Sequence, residues 1–490
     1  MKLGILLAKL GYKNYRGISF LLIVFFTIQV AFSQSHPPKR EFRGTWIATV
    51  NNIDWPSRRG LSTEKQQAEL RKLLDQVKGL GLNAVIFQAR PSGEVLYNSP
   101  YEPWSTFLTG QMGQAPDPYY DPLSFAIEEA HKRGLDFHVW VNPFRLNTNW
   151  SEDKELPSSH AATRHPSWTI PYGRNLYLDP GNPEAREFIL KVVVDLVKRY
   201  EIDALHFDDY FYPYKIQGES FADSSSYLQY NRRQIDLEDW RRENISTFVK
   251  AVSDSIYLYK PFVEFGISPF GVWRNQSRDP RGSQTRSLSS YDDLYADILF
   301  WIERGWIDYV APQLYWSRGY APADFSHLLD WWSSHSEGVK LYIGQALYKI
   351  NNNSDKNWEN PSEVPDQLRS IRQNRKVSGS IFYSSKWFGV NPLGVADSLQ
   401  EDLYYYPSLT PKINRSEILF PQAPFRLETD SDPEGIAMIW EDAGEEGSHK
   451  YFVIYRSKGK KIPLSLPEFQ QAIIRSGDLF FLDRDTKFLR

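Results

Sequence analysis

The chain has 490 residues, a length that implies more than one domain, and its 57 basic and 60 acidic residues leave a net charge of −3. That balance excludes the basic footprint of a nucleic-acid binder and a polybasic membrane patch. The absence of cysteine removes disulfides, thiolate metal sites, thiol nucleophiles and a lipidated N-terminal cysteine. Aromatic residues reach 15 %, with 16 tryptophans, enough to supply both a large core and a stacking surface.

Residues 1–33 read as an export signal. Lys2, Lys9, Lys13 and Arg16 precede an apolar run from Ile18 to Phe32, and Ala31 and Ser33 offer small residues for cleavage. The run falls short of the roughly 20 residues that a membrane span needs. A periplasmic or extracellular location is therefore expected, with no stable membrane anchor once the signal is removed.

From residue 40 to 410, strand-like runs alternate with amphipathic helical stretches. Eight strands are expected, at Arg43–Val50, Leu82–Ala89, Leu135–Asn142, Ile202–Asp209, Phe262–Ser268, Tyr309–Tyr315, Leu341–Leu347 and Gly379–Ser384. Helices are expected at Thr63–Leu80, Pro122–Arg133, Glu184–Tyr200 and Leu237–Tyr257. Eight βα units in one run favour an α/β fold closed as a (β/α)8 TIM barrel. No glycine-rich phosphate loop follows the first strand, which disfavours a dinucleotide fold. Pro411, Pro421 and Pro424 mark a linker over 411–424. Beyond it, 425–490 alternates like a small, incomplete β-sandwich resembling a fibronectin type III module, with Trp440 and Tyr455 as its core aromatics.

Strand parity nominates a site. Successive strand residues face opposite sides, and the C-terminal ends of barrel strands carry the active site. Leu205 and Phe207 suit the helix-facing side, so His206 and Asp208 point inward; Asp209 joins them only if the strand has ended. His138, Trp140 and Asn142 point inward from the third strand, and Gln88 and Arg90 from the second. A purely structural barrel would place Val, Ile and Leu there. Buried polar groups cost several kcal/mol unless paired or reached by water, so a wet, polar mouth is expected. Carboxylates at such a mouth suit glycosidic cleavage, in which one carboxyl protonates the leaving oxygen and another attacks or activates water. Asp208, Asp209 and Glu94 are the catalytic candidates, whereas Glu264 sits too early in its strand. No Gly-x-Ser-x-Gly elbow or HExxH spacing supports an esterase or zinc hydrolase. No cofactor or metal is expected, although a calcium site built from loop carboxylates stays open.

Several segments resemble the glycosyl hydrolase-like 10 family. They are Arg43-Gly44-Thr45-Trp46, Asn52-Ile53-Asp54-Trp55-Pro56, Gln88-Ala89-Arg90-Pro91, Pro103-Trp104-Ser105, His206 through Pro213, Gly266 through Asn275 and Pro312 through Trp316. The resemblance runs in order from about 40 to 410. It implies a glycoside hydrolase-related barrel outside the cytoplasm that cleaves a glycan, cell-wall peptidoglycan strands or another polysaccharide. His206–Pro213 matches the family's segment without gaps, which supports Asp208 and Asp209. The family commonly has Asp where this chain has Glu94, and Tyr where it has Phe144. Arg90, His138, Asn142, Arg145, His206, Tyr210, Trp273, Arg274, Gln313, Tyr315 and Trp316 are the expected substrate-binding residues, with Trp104 and Trp387 as extensions of the cleft. The alternative function is a catalytically inactive barrel that only binds glycan. The expected partner in either case is an oligo- or polysaccharide, with no nucleic acid.

Overall fold

The computed structural model describes residues 37–151, 155–413, 422–432, 434–443, 451–459, 461–475 and 479–484. The export-signal segment and the centre of the linker lie outside the described residues. Eight parallel strands close a barrel: β1 (Phe42–Ile47), β2 (Ala84–Arg90), β3 (Asp136–Val141), β4 (Ala204–Phe207), β5 (Glu264–Ile267), β6 (Tyr309–Val310), β7 (Lys340–Ala346) and β8 (Val377–Tyr383). Each strand pairs with its neighbours in sequence, and β8 returns to β1. The eight expected strands are all present. β6 is shorter than its apolar run because Pro312 has no N–H to donate to the ladder; beyond it only isolated bridges, Phe270 to Gln313 and Gln313 to Gly344, continue the pairing.

The helices that cover the barrel start where the sequence caps them. Asp121 accepts from the Leu123 and Ser124 N–H groups to open α2 (Pro122–Lys132), after α1 (Thr63–Gly79). Asn182 does the same for α3 (Pro183–Arg199) and Asp236 for α4 (Leu237–Tyr259). In each case a side-chain oxygen satisfies otherwise orphaned N–H groups at the first turn. Two further helices, α5 (Phe325–His335) and α6 (Glu363–Gln373), pack on β7 and β8.

The core divides in two, as parity requires. Outward-facing Val85, Phe87, Phe137, Val139, Leu205 and Phe207 join the helices in one large cluster. Inward-facing Phe42, Trp46, Ile86, Trp140, Tyr309, Tyr342 and Ile381 form a second, inside the barrel. That interior is aromatic: Phe42 stacks on Tyr342 at 4.1 Å, and Tyr342 lies 5.0 Å from Tyr309. Small residues make the room. A Cβ on Gly266 would stand 1.9 Å from the Tyr309 ring, so only glycine lets that tyrosine cross the barrel. Lys340 donates to Glu264 at 2.5 Å low in the barrel, the structural place expected for Glu264.

Two additions surround this frame. Between β3 and α3 the chain makes a three-stranded antiparallel sheet from Arg145–Thr148, Thr169–Tyr172 and Asn175–Leu178. At the other end, Leu409 pairs with Lys39 and Glu41 through backbone hydrogen bonds, returning the chain to the start of β1. After the linker, a three-stranded and a two-stranded antiparallel sheet follow. These are five strands among the described residues, against the seven of a complete sandwich of the expected type. Trp440 is buried edge-on against Phe452, while Tyr455 is only partly buried. The strand Gln470–Arg475 packs on α2, where Gly134 lies against the Ile473 carbonyl.

Candidate active site

Each of the eight strands delivers a residue to one cleft at the C-terminal end of the barrel, about 500 Å³ in volume. Trp46 comes from β1, Gln88 from β2 and Trp140 from β3. Asp208 and Asp209 follow β4, Ser268 follows β5, Gln313 follows β6, Tyr348 and Lys349 follow β7, and Tyr383 ends β8. Arg145, Thr148, Tyr210, Tyr214, Phe270, Tyr315 and Trp316 complete the walls from the loops and from the inserted sheet.

Strand β4 ends at Phe207, so alternation no longer governs the next two residues and both aspartates line the cleft. Their surroundings differ. Asp208 accepts from Trp140 Nε1 at 3.0 Å, from Asn142 Nδ2 at 3.0 Å on both oxygens, and from the Tyr210 N–H at 3.4 Å. Burial raises its pKa, while the Arg145 charge and the Asn142 and Trp140 donors pull it back. Asp209 accepts from the Tyr214 hydroxyl and from Gln313 Nε2 at 3.2 Å. Burial and then the charge of Asp208 push Asp209 up to about 7. Adjacent carboxyls separated this way form an acid and an anion.

Below the aspartates runs a buried polar chain. Trp46 Nε1 donates to His206 Nε2 at 3.2 Å, and His206 Nδ1 and His138 Nδ1 each lie 2.8 Å from the Tyr309 hydroxyl. An indole N–H only donates, so His206 Nε2 must be bare and His206 Nδ1 carries the proton. Tyr309 then accepts from His206 and donates to His138. Burial holds both imidazoles neutral, His138 at about 3 and His206 well below the ordinary value. Ser268 Oγ, 2.9 Å from His206 Nε2, is a second donor there. The two histidines thus sit beneath the cleft and fix Trp46 and Ser268, which line it.

Arg145, Tyr210, Gln313, Tyr315 and Trp316 line the cleft together with the two aspartates. The Arg145 guanidinium lies 5.4 Å from the Tyr210 ring centre and donates to the Pro91 carbonyl. Asn142 is fully buried and touches the cleft through its partners Asp208 and Arg145, whose N–H donates to Asn142 Oδ1 at 3.0 Å.

Other candidates stand apart. Arg90 is buried in an ion pair with Glu102 at 2.5 Å and also donates to the Asn142 carbonyl. The reason is a bulge: Gln88 pairs with Trp140, but Arg90 pairs with Val141. The one-residue slip turns Arg90 to the outer face. Glu94 is buried and accepts from the Thr106 N–H at 2.9 Å, at the first residue of a short helix, away from the cleft. Trp273 is 1 % exposed and stacks on Trp331 at 6.0 Å. Arg274 is taken by Asp292 at 2.9 Å and Asp279 at 3.2 Å. Trp104 packs edge-on against Tyr119, and Trp387 lies under Lys386. Phe144 packs on Phe248 in the core, with no path to the cleft. Residues that sequence reasoning did not nominate include Trp46, Tyr214, Tyr348, Lys349 and Tyr383. Parity would have found Trp46, which shares its face with Gly44 and Ala48.

Gln88 belongs to both groups. Its Oε1 accepts from the Thr49 and Val50 N–H groups at 3.0 and 2.9 Å, and its Nε2 has no partner among the described residues. Among the described residues, no group of three His, Asp or Glu side chains is placed to hold a metal ion.

A parallel barrel with a polar, aromatic-walled mouth built around two carboxyls of unequal acidity is a glycoside hydrolase-type barrel. Residues 41–360 match the model of the glycosyl hydrolase-like 10 family, and the chain belongs to that family. It is 47 % identical over 448 residues to the glycosyl hydrolase YngK of Bacillus subtilis, covering 90 % of this chain and 88 % of that one. It is 38 % identical over 364 residues to the glycosyl hydrolase DigH of Escherichia coli K12, covering 70 % and 82 %. Among solved structures, the glycoside hydrolase domain of PgaB (BpsB) from Bordetella bronchiseptica is similar with a TM-score of 0.47 and 14 % identity, over 76 % of this chain and all of that one. An α-L-fucosidase from Paenibacillus thiaminolyticus also has a TM-score of 0.47, at 11 % identity, over 74 % of this chain and 50 % of that one.

Proposed function

We propose that the protein is an exported glycoside hydrolase that cleaves a glycan, cell-wall peptidoglycan strands or another polysaccharide, with Asp209 as general acid and Asp208 as the anion. The observation that carries this reading is the unequal treatment of two neighbouring carboxyls. Three side-chain and backbone donors and the Arg145 charge favour the ionised form of Asp208, whereas Asp209 is pushed up to about 7. Protonated Asp209 delivers its proton to the glycosidic oxygen as the C–O bond breaks. Ionised Asp208 opposes the positive charge that grows at the anomeric carbon and either attacks that carbon, to be displaced by water, or takes a proton from the water that attacks it, so that the hydroxyl of water ends on the sugar. Tyr210 and Trp316 offer partly exposed aromatic surface to sugar rings above the buried Trp46 and Trp140, and Gln88 and Gln313 offer amide hydrogen bonds to hydroxyls. Both curated relatives carry glycosyl hydrolase names. Export follows from the basic residues and apolar run before residue 33.

The test is hydrolysis of a panel of purified glycans, including peptidoglycan with and without stem peptides, by the mature protein and its Asp209→Asn and Asp208→Asn variants. Cleavage that both variants lose by two or more orders of magnitude supports the reading. Tight binding to one glycan with no cleavage of any would instead make the barrel a binding module.

A further inference from the structure

The cleft is lined by four charged side chains: Asp208, Asp209, Arg145 and Lys349. The two cations are not equivalent. Arg145 lies close enough to Asp208 for its charge to act on that carboxylate, and it donates Nε and Nη2 to the Pro91 carbonyl. Lys349 is partly buried after β7, and Nζ makes one hydrogen bond, to the Tyr315 backbone carbonyl at 2.5 Å. Among the described residues, no carboxylate lies within ion-pair distance of it. Asp355 acts on it only from farther away, and Asp355 already accepts from the Ser317 hydroxyl and the Asn357 N–H.

Several other shielded cations in this chain have a carboxylate, although Arg186 makes its hydrogen bonds to the Pro180 carbonyl and the Asn244 amide. Arg90 has Glu102, Lys340 has Glu264, and Arg274 has Asp292 and Asp279. A shielded ammonium without a carboxylate is costly, and burial lowers the Lys349 pKa. An ammonium has three protons to donate, and the Tyr315 carbonyl uses one. Arg145 acts on Asp208, so Lys349 is the lining cation with no carboxylate beside it among the described residues.

We propose that Lys349 is a specificity-determining residue that reads a carboxylate carried by a sugar of the bound glycan. The proposal rests on the reading of the cleft as a glycan site and names the substrate class as acidic glycans. Lys349 is a point charge on a flexible stem, suited to a carboxylate at the edge of a ring whose face rests on the neighbouring aromatics, Tyr348 and Tyr315. It acts on substrate choice and not on the bond-breaking step.

The test pairs two acidic probes, peptide-free cell-wall glycan strands and polyuronate fragments, with the same materials after reduction of their carboxylates to alcohols. Binding is followed by intrinsic tryptophan fluorescence, since Trp46, Trp140 and Trp316 line the cleft, and hydrolysis is followed separately. For at least one pair, the wild-type protein should favour the carboxylated form in Kd and KM by about ten- to a hundredfold, the range of a hydrogen bond to a charged group. Lys349→Met and Lys349→Gln should bring that ratio close to one, and Lys349→Arg should retain it. A wild-type ratio near one in both pairs overturns the proposal while leaving the glycosidase reading in place, as does a folded Lys349→Met protein that keeps the full ratio. A Lys349-dependent preference in binding with no hydrolysis supports the proposal and removes the glycosidase reading. Stronger binding of sulfated than of carboxylated fragments also overturns it.

Discussion

At the scale of single residues, the acid assignment has a pH signature. A general acid must be protonated to work, so glycan cleavage should fall as pH rises through about 7, the value to which burial and Asp208 push Asp209. Asp209→Asn should lower kcat by about 10²- to 10⁴-fold, the usual contribution of general acid catalysis. Tyr214→Phe is more diagnostic. The Tyr214 hydroxyl donates to Asp209 and favours its ionised form, so its removal raises the Asp209 pKa. The alkaline limb of the pH–rate profile should therefore move to higher pH, and a limb that stays in place would assign it to another group. The aspartates were legible in the sequence because β4 carries polar residues at its end, where a structural barrel would be apolar. Lys349 was not, because it follows β7 in a short turn where period-2 reasoning has stopped. His138 and His206 were correctly turned inward by parity, but parity says nothing about height, and their shared bond to Tyr309 keeps them below the cleft.

At the scale of elements, the strands and helices α1 to α4 were legible because of their apolar periods and, for α2 to α4, their explicit caps. The bulge in β2 was not. Its effect on Arg90 depends on the register against β3, a pairing that one strand's sequence does not encode. The result is a buried ion pair in place of a substrate ligand, and it has a consequence for stability. Glu102→Gln leaves the Arg90 guanidinium buried without its carboxylate, so it should cost about 3–5 kcal/mol of unfolding free energy, measurable as a lowered denaturant midpoint. A substrate-binding Arg90 would instead show up in KM with stability unchanged. The aromatic interior provides a second element-scale test. Gly266→Ala places a methyl against the Tyr309 ring, and overpacking of this kind costs about 1–3 kcal/mol. Because Tyr309 holds both histidines and, through His206, Trp46 and Ser268, the same substitution should also weaken glycan binding. A stability loss with binding intact would show that the polar chain does not hold the cleft in shape.

At the scale of the whole molecule, the question is what the C-terminal sheets do for the barrel. Among the described residues, none after Tyr383 lines the cleft, and the backbone bonds that return the chain to β1 end at Leu409. A chain ending after Pro411 should therefore keep its barrel closure and its kcat/KM on soluble oligosaccharides. A large loss of turnover would mean that the sheets shape the active site after all. Stability should nevertheless change, and in a pH-dependent way. Asp136, at the start of β3, shares a small cavity with Thr410, Tyr451, Val453 and Ile473. Burial and the neighbouring Asp203 carboxylate push Asp136 up to about 7. A carboxyl with a raised folded-state pKa favours the native state at low pH, and that advantage is lost as pH rises from its unfolded value through about 7. In the truncated chain, Asp136 loses the Tyr451 hydrogen bond that holds its pKa down, but it regains water on the side that Tyr451 and Ile473 now cover; burial is the larger influence, so its pKa falls back and the loss shrinks. Denaturant midpoints at pH 5 and pH 8 should differ more for the full chain than for the truncated one. Groups within the barrel, Asp209 included, contribute equally to both chains, so the difference reports on the junction together with the removed segment's own groups, such as the Arg456–Asp483 pair, and repeating both chains with Asp136→Asn separates the two. Equal pH dependence in the two proteins would mean that Asp136 is shielded by the barrel alone and that the C-terminal sheets only rest against it.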